Sequence, residues 1–198
     1  MSNSFLDKDT IINFFNEKSF SWDKENTVDY NILDLIFDNG SFINNKSLLD
    51  IGCGTGILFD YYLTHNASSI TGIDLSNNMI DRAKEKYPNI ELVCADACSV
   101  SLYKQYDLIV IYNTLPHIYD IYRLFDNCKK HLKIGGYIIV AFGQCMKETN
   151  NIHSSLKERV SNPLMPIEDL ANIMANYFSV VNCISNNDRY EIICVNKG

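Results

Sequence analysis

Short apolar runs alternate with helix-period segments along most of this chain. Near-continuous apolar stretches occupy 47–51 (SLLDI), 69–74 (SITGID), 90–95 (IELVCA), 106–112 (YDLIVIY) and 137–142 (YIIVAF). Runs this short suit strands covered on both faces of a parallel sheet. Two further runs, 178–184 (FSVVNCI) and 189–195 (RYEIICV), are separated only by SNND and predict an antiparallel hairpin. Between the strands, Ser76 is a plausible N-cap for a helix with Ile80, Ala83 and Tyr87 on one face, ended by Pro88. Ile121, Leu124, Phe125, Cys128 and Leu132 mark another, with Gly135-Gly136 expected to end it. Pro166 opens a third, carrying Ile167, Leu170, Ile173, Met174 and Tyr177 inward. Ahead of the first strand, Val28, Ile32, Leu35 and Ile36 predict one helix, and Ile11, Ile12, Phe14 and Phe15 a shorter one.

This order predicts an α/β fold. A doubly wound, mostly parallel seven-stranded sheet is expected, with an antiparallel edge hairpin and an N-terminal helical cap. The 198 residues suit one domain: a cap over 1–45, a core over 46–142, a segment 143–165, and a final helix with hairpin over 166–198. Residues 143–165 are polar without clear periodicity and are expected to form a lid.

Charge narrows the partners. Lys plus Arg number 17 against 24 Asp plus Glu, a net charge of −7, and no clustered basic face is visible, so nucleic acid is not an expected partner. No apolar run approaches ~18 residues, so no membrane span is expected. MSNSFLDKDT lacks the basic start and apolar stretch of a secretory signal. Seven cysteines, an odd set without a CxxC pair, read as free thiols of a cytoplasmic protein, with no metal site. The chain is expected to be a monomer or homodimer.

The chemistry concentrates at strand ends. LLDIGCGTG places Asp50 one step before Gly52, Gly54 and Gly56, where the first strand gives way to a helix expected to start at about Gly56. Glycines there let backbone approach a ligand closely, at the edge of an open α/β sheet where ligands bind. Asp74 ends the second strand, placed to accept both hydroxyls of an adenosine ribose, and Asp96 follows the third, placed to accept from an adenine amino group. The spacing is G-x-G-x-G, with Ile57 where a dinucleotide fingerprint has its third glycine. Asp50 would repel a pyrophosphate but attract an ammonium group.

LLDIGCGTG, GIDLS, ADA, YDLIVIYNTLPHI and LKIGGYIIV resemble, in order, the motifs of the class I S-adenosylmethionine-dependent methyltransferases. The resemblance covers about residues 47–142 closely. It implies S-adenosylmethionine as cofactor, S-adenosylhomocysteine as its product, and methyl transfer to a small molecule. Asp50 with Gly52, Cys53, Gly54 and Gly56 would cradle the methionine part, and Asp74 would hold the ribose. Asp96 and Ala97 would face adenine, and Leu75 and Met79 would pack on the adenosine. Asn113 would line the pocket between donor and acceptor. Ile134 stands where the family often has proline, which affects a turn and not the cofactor.

On the acceptor side, FFNEKSFSWD is similar to the opening of many small-molecule methyltransferases, so Phe15, Trp22 and Tyr30 are expected to help close the pocket. His117, after the fourth strand, is the candidate general base, and His153 is expected to face the same pocket. His65 and His131 are expected at the surface. A non-catalytic cofactor-binding module and a protein methyltransferase are the alternatives, and no motif specifies the acceptor.

Overall fold

The fold, a computed structural model, is described for residues 6–198. The first five residues of the expected cap lie outside the described residues. Three helices, α1 (Lys8–Lys18), α2 (Trp22–Glu25) and α3 (Tyr30–Ile36), precede strand β1 (Ser47–Ile51). Then follow α4 (Phe59–Thr64), β2 (Ser69–Asp74), α5 (Asn77–Lys86), β3 (Glu91–Cys94) and β4 (Tyr106–Tyr112). A 3-10 turn (Leu115–His117) leads to α6 (Ile121–His131), β5 (Leu132–Phe142), α7 (Met146–Ser154) and α8 (Ile167–Met174), and β6 (Ser179–Ser185) with β7 (Tyr190–Val195) closes the chain.

The seven strands form one sheet in the order β3-β2-β1-β4-β5-β7-β6. β1 to β5 run parallel, and β7 is antiparallel to both β5 and β6, giving the expected edge hairpin. The order reverses between β1 and β4, and a crevice opens at such a switch point. Alternation along each strand divides the core between two faces. Leu49, Ile51, Ile109 and Val140 pack with α6 and α8. Leu48, Val110 and Ile139 pack with α3, α4 and Ile80 of α5. Local capping agrees with this architecture: Ser76 accepts a hydrogen bond from the Met79 amide at the start of α5, and Asp120 accepts from the Arg123 amide at the start of α6.

Several expected boundaries differ. Gly135-Gly136 does not end α6, which passes into β5 at Leu132. The glycines lie where the β4–β5 register shifts, and the Asn196 backbone pairs with both of them. Ile134 is therefore on a strand rather than in a turn. α4 starts at Phe59 because Gly56 and its neighbours form successive turns first. Leu35 faces solvent at 55% exposure while Leu33 and Ile36 enter the core, so the apolar face of α3 is narrower than the spacing suggested. The segment 143–165 contains α7, whose Thr149 is buried.

The remaining histidines and the cysteines also depart in part. His131 is buried, not at the surface: its Nδ1–H donates to the Asn127 carbonyl and its Nε2 accepts from the Leu102 amide. His65 is half-buried, its ring 4.2 Å from that of Tyr61. All seven cysteines are free, but Cys94 and Cys183 are exposed because both lie on edge strands. Among the described residues no helix is long and apolar enough to cross a membrane.

Candidate active site

The carboxyl ends of β1, β2, β3 and β4 meet the N-terminal helices around a cavity of about 1050 Å³, open mouth included. Its floor is the loop after β1. Gly52, at φ 72°, lies so close to the next strand's loop that a Cβ would sit 2.3 Å from the Thr114 methyl. Gly54, at φ 54°, faces the cavity, and a Cβ there would project to within 3.7 Å of Trp22 Nε1 and 3.9 Å of Met79 Sδ. Only glycine holds both conformations readily and leaves this backbone open to a ligand. Buried Thr55 donates to Asp23, which also receives Lys86 Nζ at 2.8 Å, so α2 is tied down over the loop.

Asp74 stands beside this floor. Its Oδ2 accepts from the Gly54 amide at 2.9 Å and its Oδ1 from the Ser76 amide at 2.8 Å. Burial raises its pKa against the pull of these backbone donors. Each oxygen keeps a lone pair, so two neighbouring hydroxyls would fit. Asp96 is more occupied. Its Oδ2 receives Lys8 Nζ at 2.6 Å and the Tyr119 hydroxyl at 2.9 Å, and its Oδ1 accepts from the Cys98 amide at 2.9 Å. Burial alone would raise Asp96, but these three donors outweigh it and hold the carboxyl below its ordinary range.

Across β1, the wall changes character. Tyr112 ends β4 and Asn113, Thr114 and His117 follow it, and Phe15, Trp22 and Val28 close over them from the N-terminal segment. The His117 ring lies 4.9 Å from the Phe15 ring and 4.9 Å from the His153 ring. Its Nδ1 is 2.9 Å from the Val160 carbonyl, which only accepts, so Nδ1 carries the proton and Nε2 the lone pair. Part of the ring surface faces the cavity, yet protein surrounds it. That burial lowers its pKa to about 4, against the Val160 bond, which favours the charged form; the neighbouring His153 lowers it further. Burial lowers His153 too, and its Nδ1 is buried without a partner.

Of the residues singled out from sequence, Gly52, Cys53, Gly54, Asp74, Leu75, Met79, Asp96, Ala97, Asn113, Trp22 and His117 line this one cavity. Asp50, Gly56, Tyr30 and His153 are not on its wall, for separate reasons. Alternation along β1 sends Asp50 to the face of Leu48, where it is 2% exposed below the loop. There burial raises its pKa to about 7, with Asp74 adding to the effect. The Tyr62 hydroxyl opposes that shift but forms no hydrogen bond of ordinary geometry. Gly56 turns toward the Phe59 ring. Tyr30 leans on Tyr61, ring centroids 5.4 Å apart, and is 46% exposed. His153 stands behind His117. Sequence reasoning missed Lys8, Tyr112, Thr114 and Tyr119. Tyr112 and Thr114 flank Asn113 at a strand end, so the strand-end rule would have found them, whereas nothing local marks Lys8 or Tyr119.

The methyltransferase domain family matches residues 49–140, the span that builds the cavity floor and the β4 wall. Putative methyltransferase 235L of Invertebrate iridescent virus 6 is 29% identical over 192 residues, covering 96% of this chain and 68% of that protein. The malonyl-[acyl-carrier protein] O-methyltransferase of Priestia megaterium is 31% identical over 126 residues, covering 61% of this chain and 46% of that protein. This chain therefore spans less than half of that bacterial relative. Magnesium protoporphyrin IX methyltransferase from Synechocystis PCC 6803, solved with bound S-adenosylhomocysteine, superimposes with a TM-score of 0.69 at 15% identity. That match covers 96% of this chain and 99% of the other. Residues 49–140 thus carry a methyltransferase domain, and the likenesses together support a class I S-adenosylmethionine-dependent methyltransferase.

For a class I methyltransferase the cofactor is S-adenosylmethionine, and the cavity fits it on its own evidence. The open backbone at Gly54 leaves room where any side chain would intrude. Asp74 presents two oxygens with spare lone pairs on the same wall. Leu75, Met79 and Ala97 supply apolar surface between Asp74 and Asp96. Among the described residues no group of three or more His, Cys, Asp or Glu side chains is arranged to hold a metal ion.

Proposed function

We propose that this methyltransferase transfers a methyl group from S-adenosylmethionine to a small-molecule acceptor. The observation that carries this reading is one continuous cavity with two unlike ends. A carboxylate and an open glycine loop stand at one, and a neutral imidazole among aromatic rings at the other. The cofactor supplies a methyl group on a positively charged sulfur, which an incoming nucleophile displaces in line. Gly52, Cys53 and Gly54 would support its methionine part, Asp74 its ribose, and Leu75, Met79 and Ala97 its adenosine. The Lys8 and Tyr119 donors already on Asp96 Oδ2 leave Oδ1 as its freer oxygen for an adenine amino group.

In this reading the chain's own contribution is position and proton transfer. Phe15, Trp22 and Val28 exclude water, and Asn113 borders donor and acceptor. Holding two reactants in line removes several kcal/mol of barrier by itself. His117 Nε2 would accept the proton that the acceptor loses, with His153 packed behind the ring. Asp50 acts from below the loop rather than by touching the cofactor. The depth of the cavity beneath the N-terminal helices favours a small acceptor group over an extended polypeptide.

Two measurements test this. S-adenosylhomocysteine at 100 times its dissociation constant should stabilise the protein by about 2.7 kcal/mol. Incubation with S-adenosylmethionine and a metabolite extract should yield S-adenosylhomocysteine and a methylated small solute by mass spectrometry. Label appearing only in polypeptide, or binding without turnover, would replace this reading by one of its alternatives.

A further inference from the structure

The charges around the cavity are unevenly placed. No lysine or arginine is among the described residues that line it, and its charged side chains are Asp74 and Asp96. Asp74 ends β2 and Asp96 follows β3, both on the same side of β1. Asp96 is matched by Lys8, 2.6 Å away. The wall after β4 holds neutral groups: Tyr112, Asn113, Thr114 and His117, faced by Phe15 and Trp22. His117 is committed to the tautomer with its proton on Nδ1, because that nitrogen meets the Val160 carbonyl at 2.9 Å. The ring therefore offers an acceptor at Nε2 and no second donor.

S-adenosylmethionine carries a sulfonium, an ammonium and a carboxylate, a net charge of plus one, which Asp74 offsets. An acceptor entering as an anion would add a negative charge with no cation on the wall to meet it, and burying such a charge unpaired is costly. It would also present a lone pair to the lone pair of His117 Nε2. An uncharged hydroxyl or amine instead brings the proton that this nitrogen lacks.

We infer that the part of the acceptor entering this cavity carries no negative charge, and that its attacking atom is a hydroxyl oxygen or amine nitrogen donating to His117, not a carboxylate oxygen. This rests on the methyltransferase reading and narrows it. In the step, the acceptor's oxygen or nitrogen forms a bond to the methyl carbon while the carbon–sulfur bond breaks and sulfur keeps the electron pair. The acceptor's proton passes to Nε2 and from there to solvent. The chain thereby differs from what the name of the bacterial relative implies for that protein, whose malonyl acceptor would offer a carboxylate.

Trp22 is the single tryptophan of the chain and lines the cavity, so its indole N–H resonance reports ligands there. The full chain, saturated with S-adenosylhomocysteine and then with S-adenosylmethionine, is titrated at neutral pH with phenol, aniline and benzoate, the first two uncharged and the third an anion. Phenol or aniline should bind about tenfold or more tightly than benzoate, a factor equivalent to about 1.4 kcal/mol. Val28→Arg, which puts a guanidinium on the neutral wall, should improve benzoate binding by about tenfold. Benzoate binding to the wild-type protein as tightly as the others overturns the inference, as does a Trp22 signal that none of the three moves. The wild-type series decides the matter even where the variant fails to fold. Calorimetry with S-adenosylhomocysteine alone separates the two readings. No heat removes the methyltransferase assignment, whereas normal heat with a preference for benzoate removes only the acceptor class.

Discussion

At the β2–β3 end of the cavity, ionisable groups are held by hydrogen bonds from the backbone and from one lysine. At the β4 end, an imidazole is held among rings and one carbonyl. Asp74 and Asp96 each receive a backbone amide, and Asp96 also receives Lys8 and Tyr119. His117 has Phe15, His153 and the Val160 carbonyl around it. The contrast teaches that one cavity can favour charge at one end and neutrality at the other, according to which donors each strand end supplies. It also separates binding from chemistry: cofactor affinity should depend on the first end and transfer rate on the second.

The strongest challenge to that separation is Asp74→Ala. Two charge-assisted hydrogen bonds of roughly 1.5–3 kcal/mol each would be lost, so S-adenosylhomocysteine affinity should fall by about 100-fold or more. Titration calorimetry on a variant with an unchanged circular dichroism spectrum measures this. An unaltered dissociation constant would mean that the ribose lies elsewhere.

His117→Ala should do the reverse. General-base catalysis is typically worth about 100-fold or more in rate, so transfer to a hydroxyl acceptor should slow by about that factor. Cofactor affinity should stay within about twofold. If turnover survives while affinity drops, the two ends have been assigned the wrong way round.

pH should act in opposite senses on His117, at the β4 end, and on Asp50, buried beneath the glycine loop. His117 titrates at about 4 when folded, below the ordinary 6.5, so the unfolded chain takes up its proton first as pH falls. Its contribution to stability is present above pH 6.5 and lost between 6.5 and 4, by roughly 3 kcal/mol. His117→Gln should remove that contribution from a denaturation series. Asp50 titrates at about 7 when folded, above the ordinary 3.8, so the folded chain holds its proton longer. Stability therefore falls as pH rises from about 4 to about 7, and Asp50→Asn should stabilise the protein above that window. The two slopes oppose each other over nearly the same window, so the wild-type profile is nearly level and the single variants carry the test. A His117→Gln or Asp50→Asn profile that superimposes on the wild type would contradict the corresponding assignment.

The smallest expected effect is at Lys8. Its ion pair with Asp96 is short, but the lysine side chain is 43% exposed. Such pairs contribute up to about 1 kcal/mol. Lys8→Met should change S-adenosylhomocysteine affinity by less than about fivefold and weaken its dependence on salt. A loss as large as that for Asp74→Ala would make Lys8 part of the cofactor site rather than a brace beside it.

The β2–β3 end of the cavity was the more legible in sequence because its logic is local. Gly52, Gly54 and Asp74 occupy fixed steps from strand ends, and strand ends follow from apolar runs that no other element shares. The strand set and the edge hairpin were legible for the same reason. The failures have physical causes of their own. Asp50 reads as a ligand-facing acid, but a strand alternates its side chains, and the partner strands decide which face is open. Gly135-Gly136 reads as a helix stop, but its role depends on Asn196, sixty residues on, pairing with it. His131 reads as a helix-end surface residue, yet the Leu102 amide comes to it from a distant loop.

By itself, then, the sequence determined the alternation of strands and helices, the glycine loop after β1, and the acid at the end of β2, because hydrophobic period and backbone freedom act over a few residues. Only the tertiary structure decided that Val160 fixes the tautomer of His117, that His153 lies behind it, and that Lys8 reaches Asp96. Those contacts join segments 43, 36 and 88 residues apart. The fold of the whole sheet and its cap brings them together, and no local preference encodes that meeting.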